Sequence, residues 1–86
     1  MKLSENFVMR QVADTWVVLP IGQASIDFNG MLTLNEMGGE IWKLLPQVAD
    51  EEELIQRLLE EYEVEEEELR RDVTEFLDSL KKLGIL

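Results

Sequence analysis

The side chains of this chain that could do acid–base or metal chemistry are carboxylates, and they come in runs: Glu51-Glu52-Glu53 and Glu65-Glu66-Glu67-Glu68. A hard cation needs several oxygens converging on one point, whereas consecutive glutamates on a helix point in different directions, so neither run makes a cage. The chain has no histidine and no cysteine. It lacks the commonest general base and the thiolate metal ligand, and it has no disulfide framework. Most familiar catalytic constellations are excluded, and no catalytic residue, metal or cofactor is expected. Arg70 and Arg71 offer a different chemistry, since guanidinium groups beside an apolar stripe can pair with the carboxylates of a partner; as a plain reading they solvate a helix surface.

The charge is lopsided. The 86 residues carry a net −11, of which −2 falls in residues 1–48 and −9 in residues 49–86. Nucleic acid and anionic bilayers attract clustered Lys and Arg, so this field repels both, and a partner should be basic or apolar. With 45% hydrophobic residues, the length suits one small domain over residues 1–86 with a thin core. The opening MKLSENFVMRQ has no signal-peptide apolar region, and no window approaches the roughly 20 apolar residues of a membrane span. A cytoplasmic location is expected.

Near Asn35 strand character gives way to helix character. Residues 7–12 and 16–19 are rich in β-branched and aromatic side chains, with a reversal at Ala13-Asp14-Thr15. A second hairpin is signalled by Ser25-Ile26-Asp27-Phe28, then Asn29-Gly30, then Met31-Leu32-Thr33-Leu34, because Asn-Gly supplies the positive φ angles of a type I′ turn. That geometry puts Ile26, Phe28, Met31 and Thr33 on one face and Asp27, Leu32 and Leu34 on the other. Both faces are then partly apolar. Either a bulge re-registers Leu32 and Leu34 into the core, or one face packs on helices while part of the other lines a groove.

Three helices follow, over about 36–45, 51–62 and 66–83. Asn35 can cap the first, with Thr33 and Glu36 as an alternative pair; Met37, Ile41, Leu44 and Leu45 share its face, and Pro46 ends it. Asp50 and Glu53 stand in capping-box spacing at the second, whose stripe is Leu54, Ile55, Leu58, Leu59 and Tyr62. In the third, Leu69, Val73, Phe76, Leu77, Leu80 and Leu83 recur at steps of three and four, and Gly84 stops it. The fold class is α+β: an N-terminal antiparallel sheet of three to four short strands within residues 6–34, then three helices, winged-helix-like in outline.

Leu34-Asn35-Glu36, Ile41-Trp42-x-Leu44-Leu45, Glu61-Tyr62-Glu63-Val64, Asp72-Val73-x-x-Phe76-Leu77-x-x-Leu80 and the closing Leu83-Gly84-Ile85-Leu86 together resemble the PqqD family, from about Phe7 onward. The pattern departs after Leu45, where Pro46-Gln47 stands in place of an expected Asp-Gly. The resemblance implies a non-catalytic domain that binds the leader of a ribosomally made precursor peptide as an added β-strand. It also implies a partner enzyme that modifies the peptide, often a radical S-adenosylmethionine protein, as in pyrroloquinoline quinone synthesis. By family position the sheet edge falls in residues 25–34, with Ser25, Ile26, Asp27, Phe28, Met31 and Leu32 as peptide contacts. The third helix supplies the other wall, with Arg70, Val73 and Leu77 as candidates, although an apolar helical stripe first serves the core. Trp42 matches a family aromatic that packs the helices.

Gly38 and Gly39 sit side by side in the first helix, where each costs about 1 kcal/mol relative to alanine. Family members place small residues there, which implies a close crossing; on that account Gly38→Leu or Gly39→Leu costs about 1 to 3 kcal/mol or more. Two rival readings share the outline. A winged-helix DNA-binding regulator needs basic and amide side chains toward base edges, and the local field is acidic. A structural subunit docking on another protein would use the same apolar edge. An open edge also permits a monomer, a weak dimer or a strand-swapped dimer.

Overall fold

The computed structural model describes residues 1–22 and 32–86. Strand β1 (Phe7–Val12) turns back on β2 (Thr15–Pro20) through Ala13-Asp14, with Val12 opposite Thr15 and Phe7 opposite Pro20. Ala13 takes φ +56°, the left-handed region that a Cβ disfavours. Strand β3 (Leu32–Leu34) lies antiparallel on the far side of β2, in the order β1-β2-β3. The expected Ser25–Phe28 strand and its Asn29-Gly30 turn fall in residues 23–31, outside the described residues.

The β2–β3 register settles the question of faces for β3. Trp16 opposes Leu34, Val17 opposes Thr33 and Val18 opposes Leu32. Leu34 and Val18 are buried, Leu32 is half-buried and Thr33 is exposed, so Leu32 and Leu34 belong to the core side of the sheet.

Helix α1 (Glu36–Leu44) starts where the Asn35 side chain accepts from the Gly38 amide at 2.8 Å. The alternative Thr33/Glu36 cap is not used. A single 3-10 turn, Leu45–Gln47, carries the chain past Pro46. Helix α2 (Glu51–Glu61) is capped by Asp50, which accepts from the Glu53 amide at 2.8 Å, while Glu53 reaches back to the Ala49 amide at 2.9 Å. Helix α3 (Glu66–Lys82) has acids in its first turn and Lys81 and Lys82 in its last, each sign lying at the favourable end of the helix dipole.

The core gathers Val18 and Leu34 of the sheet with Ile41, Trp42 and Leu45, then Leu54, Ile55 and Leu58, and finally Leu69, Val73, Leu77 and Leu80. Trp42 is buried among them, as expected of a packing aromatic. One stripe assignment is corrected: Leu83 is exposed, and Ile85 is buried in its place. Gly84 at φ +76° ends α3, with its amide donating to Lys81 O and the Ile85 amide donating to Leu80 O. Those paired bonds form a Schellman motif, which turns the second residue past the cap inward. Among the described residues no helix is long and apolar enough to cross a membrane.

The glycine pair answers to two neighbours. An ideal Cβ on Gly39 would stand 2.6 Å from Trp16 Cδ1 and 2.8 Å from its Nε1. The indole lies across the helix backbone, with Lys43 Nζ 4.2 Å from its ring centroid. On Gly38 a Cβ would meet Leu34 Cβ at 3.2 Å and Phe76 Cε1 at 3.6 Å. The first contact has no room for a methyl, and the second has little.

Arg70 ties α3 to α2. Its Nη1 and Nη2 donate to the two Glu52 carboxylate oxygens at 2.7 and 2.8 Å, and its Nε donates to Glu66 at 2.9 Å. The Arg70 hydrogen bonds, aided by one from Gln56, pull the Glu52 pKa down to about 2.

Three outcomes follow from this packing. Gly39→Ala should destabilise the chain by about 1 to 3 kcal/mol in thermal or urea unfolding despite alanine's better helix propensity, and the cost should vanish in a Trp16→Ala background. Ala13→Gly should raise stability by up to about 1 kcal/mol, since glycine accepts positive φ without the Cβ penalty. Because the folded pKa of Glu52 lies below its unfolded value, the pair's stabilisation is full above about pH 4.5 and fades as pH falls toward about 2. Urea midpoints measured down that window should therefore drop more for the natural chain than for Glu52→Gln, by a modest amount because the pair is exposed.

Candidate functional site

Asp72, Glu75, Phe76 and Ser79 recur at steps of three and four along α3, one position round from the buried stripe of Leu69, Val73, Leu77 and Leu80. That spacing sets them on a flank of the helix rather than on its core face. The flank looks across a cleft of about 550 Å³ whose other side is Asn35, Met37, Gly38 and Ile41. An adjoining space of about 220 Å³ shares Asn35, Gly38, Phe76 and Ser79 and continues to Leu32, Thr33 and Leu34. The two make one track between β3 and α3, floored by the start of α1. Gly38 matters to its shape, since a side chain there would grow toward Phe76.

At the other end, Met37, Ile41 and Asp72 also line a hollow of about 340 Å³ with Glu63, Val64, Glu65, Glu68, Leu69 and Val73. The track is therefore apolar along its floor and acidic along its rim. Among the described residues β3 pairs with β2 alone, and nothing pairs with its other edge. Such an edge is a template for another extended chain.

Of the residues expected to bind a partner, Leu32 lies on the track and is half-buried. Ser25, Ile26, Asp27, Phe28 and Met31 lie outside the described residues. Val73 and Leu77 are in the core, 0% and 1% exposed; Val73 touches only the hollow at the far end, and Leu77 lines neither part of the track. Arg70 is held by Glu52 and Glu66 on the side of α3 that meets α2. The cleft wall consists instead of Phe76, with Asp72, Glu75 and Ser79 around it. Phe76 belongs to the expected stripe, whereas its three polar neighbours stand outside the expected contacts. The signal for them was the boundary of the stripe, where apolar and polar positions alternate around Phe76.

Among the described residues no group of three or more His, Cys, Asp or Glu side chains is placed to hold a metal ion; the track can bury apolar side chains and attract positive charge. A comparison with curated proteins finds no match. Among solved structures the chain is similar to TbiB1 in complex with the TbiA(beta) leader peptide, at 29% identity and a TM-score of 0.78, covering 100% of this chain and 94% of that one. It is likewise similar to lasso peptide synthetase B1 complexed with its leader peptide, at 26% identity and a TM-score of 0.76, covering 98% and 93%. Residues 15–86 match the family described as coenzyme PQQ synthesis protein D. That match takes in β2, β3 and all three helices, and with them both walls of the cleft: the chain belongs to the PqqD family.

Proposed function

We infer that this chain is a leader-peptide recognition module for ribosomally synthesised, modified peptides, holding the leader as an added strand on β3 against α3. The observation that carries the reading is an apolar cleft beside a β3 edge that no described residue pairs, in a chain similar over its full length to a protein solved with a leader peptide bound. The leader's backbone continues the sheet, and its alternate side chains enter the cleft toward Phe76 and Leu32.

Magnitudes show why the cleft matters as much as the edge. A three-residue strand exchanges about two backbone hydrogen bonds with a neighbour, worth about 2 kcal/mol net. Micromolar binding needs about 8 kcal/mol. The remainder, about 6 kcal/mol before ordering costs, corresponds to about 240 Å² of apolar surface at ~25 cal/mol per Å². Phe76, Met37 and Leu32, each half-buried beside the cleft, supply the chain's share of that surface, and the leader's own apolar side chains supply the rest.

The domain itself does no chemistry on this reading. It works in the cytoplasm and presents the leader to a peptide-modifying enzyme. The family description points toward quinone cofactor synthesis, the name of the second structural neighbour points toward lasso peptide synthesis, and a radical S-adenosylmethionine enzyme is the partner that the family resemblance implies. The leader-binding step is common to both.

A photoreactive phenylalanine derivative in place of Ser79, in cells that make the protein, should capture the N-terminal segment of a short ribosomal peptide, and the same group at Gln56 on α2 should not. Titrating the captured peptide into the isotope-labelled chain should shift the amides of Leu32–Leu34 and of residues 72–79. Capture at Gln56 but not Ser79, or shifts confined to the acidic loops, would contradict the assignment.

A further inference from the structure

We propose that the cleft selects a leader carrying a basic side chain, Lys or Arg, seated against Phe76 between the carboxylates of Asp72 and Glu75. This rests on the leader reading above and adds the chemistry of the partner. The charged side chains lining the track between β3 and α3 are Asp72 and Glu75, and both are acidic and exposed. Among the described residues neither carboxylate has an ion pair or hydrogen bond, whereas Arg70 on the same helix is engaged by Glu52 and Glu66. Arg70 is thus turned away from the track, and the anions are left on it.

Phe76 stands one position from Glu75 and one turn from Asp72, and it is half-buried in the cleft wall. An aromatic face flanked by two carboxylates suits a long aliphatic stem ending in a cation, which gains apolar contact, cation–π attraction and charge pairing together. Lys43 over the Trp16 ring, at 4.2 Å, shows the same pairing within the chain. The hollow beyond Asp72 adds Glu63, Glu65 and Glu68 and no basic residue, so the potential keeps one sign along the whole track. An acidic leader would be repelled there, and a wholly apolar one would take water from Asp72 and Glu75 without replacing it.

The test is selection of strand-length random peptides displayed against the full chain, with a parallel selection against Asp72→Asn/Glu75→Gln. Both residues are exposed, and thermal melts verify that the double variant folds. Peptides selected on the natural chain should carry Lys or Arg at one fixed position. They should bind the double variant roughly fivefold or more weakly at low salt, a difference that shrinks as salt is added. A control variant, Glu67→Gln/Asp78→Asn, removes the same charge from α3 away from the cleft and should bind as the natural chain does.

Peptides that protect the β3 amides from exchange but show no basic preference, or bind all three chains alike, would overturn the proposal and leave the leader reading standing. Equal weakening in the control variant would assign the preference to the overall acidity and also overturn it. Selected peptides that leave the β3 amides unprotected would remove the leader reading itself.

Discussion

The Trp16 indole lying against the bare backbone of Gly39 is the contact on which the rest of the structure depends. With an ideal Cβ position only 2.6 Å from the ring, the bare backbone of α1 rests on the indole of β2, and any side chain larger than hydrogen would have to displace the ring or part the two elements. That approach fixes where α1 begins, and its first residues, Asn35 and Gly38, form the floor of the cleft. Leu34, opposite Trp16 in the sheet, packs beneath Gly38. One aromatic–glycine contact therefore sets the depth of the cleft and the position of the strand that edges it, and the poor helix propensity of two adjacent glycines is the cost of that closeness.

The helical half is held differently. Leu69, Val73, Leu77 and Leu80 are buried against α1 and α2, each contributing about 1.5–3 kcal/mol by leaving water, and the Arg70–Glu52 pair adds a small, solvent-screened increment at the surface. Holding Arg70 on this seam has an electrostatic consequence on the opposite flank. Glu52 and Glu66 neutralise Arg70, while Asp72 and Glu75 face the cleft uncompensated by the described residues. In a chain of net charge −11, that leaves the partner-facing surface negative and the partner's charge correspondingly constrained.

Much of the architecture was legible because it is local. The Asn35 and Asp50 caps, the Pro46 stop and the Gly84 terminus rest on backbone groups within a few residues, and the structure uses all of them. The α3 periodicity identified the core stripe, but periodicity gives a direction around a helix only to within the width of a side chain. It could not separate Phe76, which walls the cleft, from Leu77, which is sealed in the core. The engagement of Arg70 was not legible for a longer-range reason: its partner Glu52 lies eighteen residues earlier, on another helix, and no spacing rule connects them. Leu83 failed at a boundary, where the Schellman turn exchanges one apolar residue for another two positions on.

The central claim is that the partner's main chain, and not only its side chains, completes the sheet at β3. N-methylation of a bound peptide, one residue at a time, tests it most directly, because each methyl removes a single amide donor and blocks strand approach at that point. Strand addition predicts a period of two along the β3-facing stretch, with binding lost at alternate residues and kept at those between. Uniform tolerance of N-methylation would contradict it.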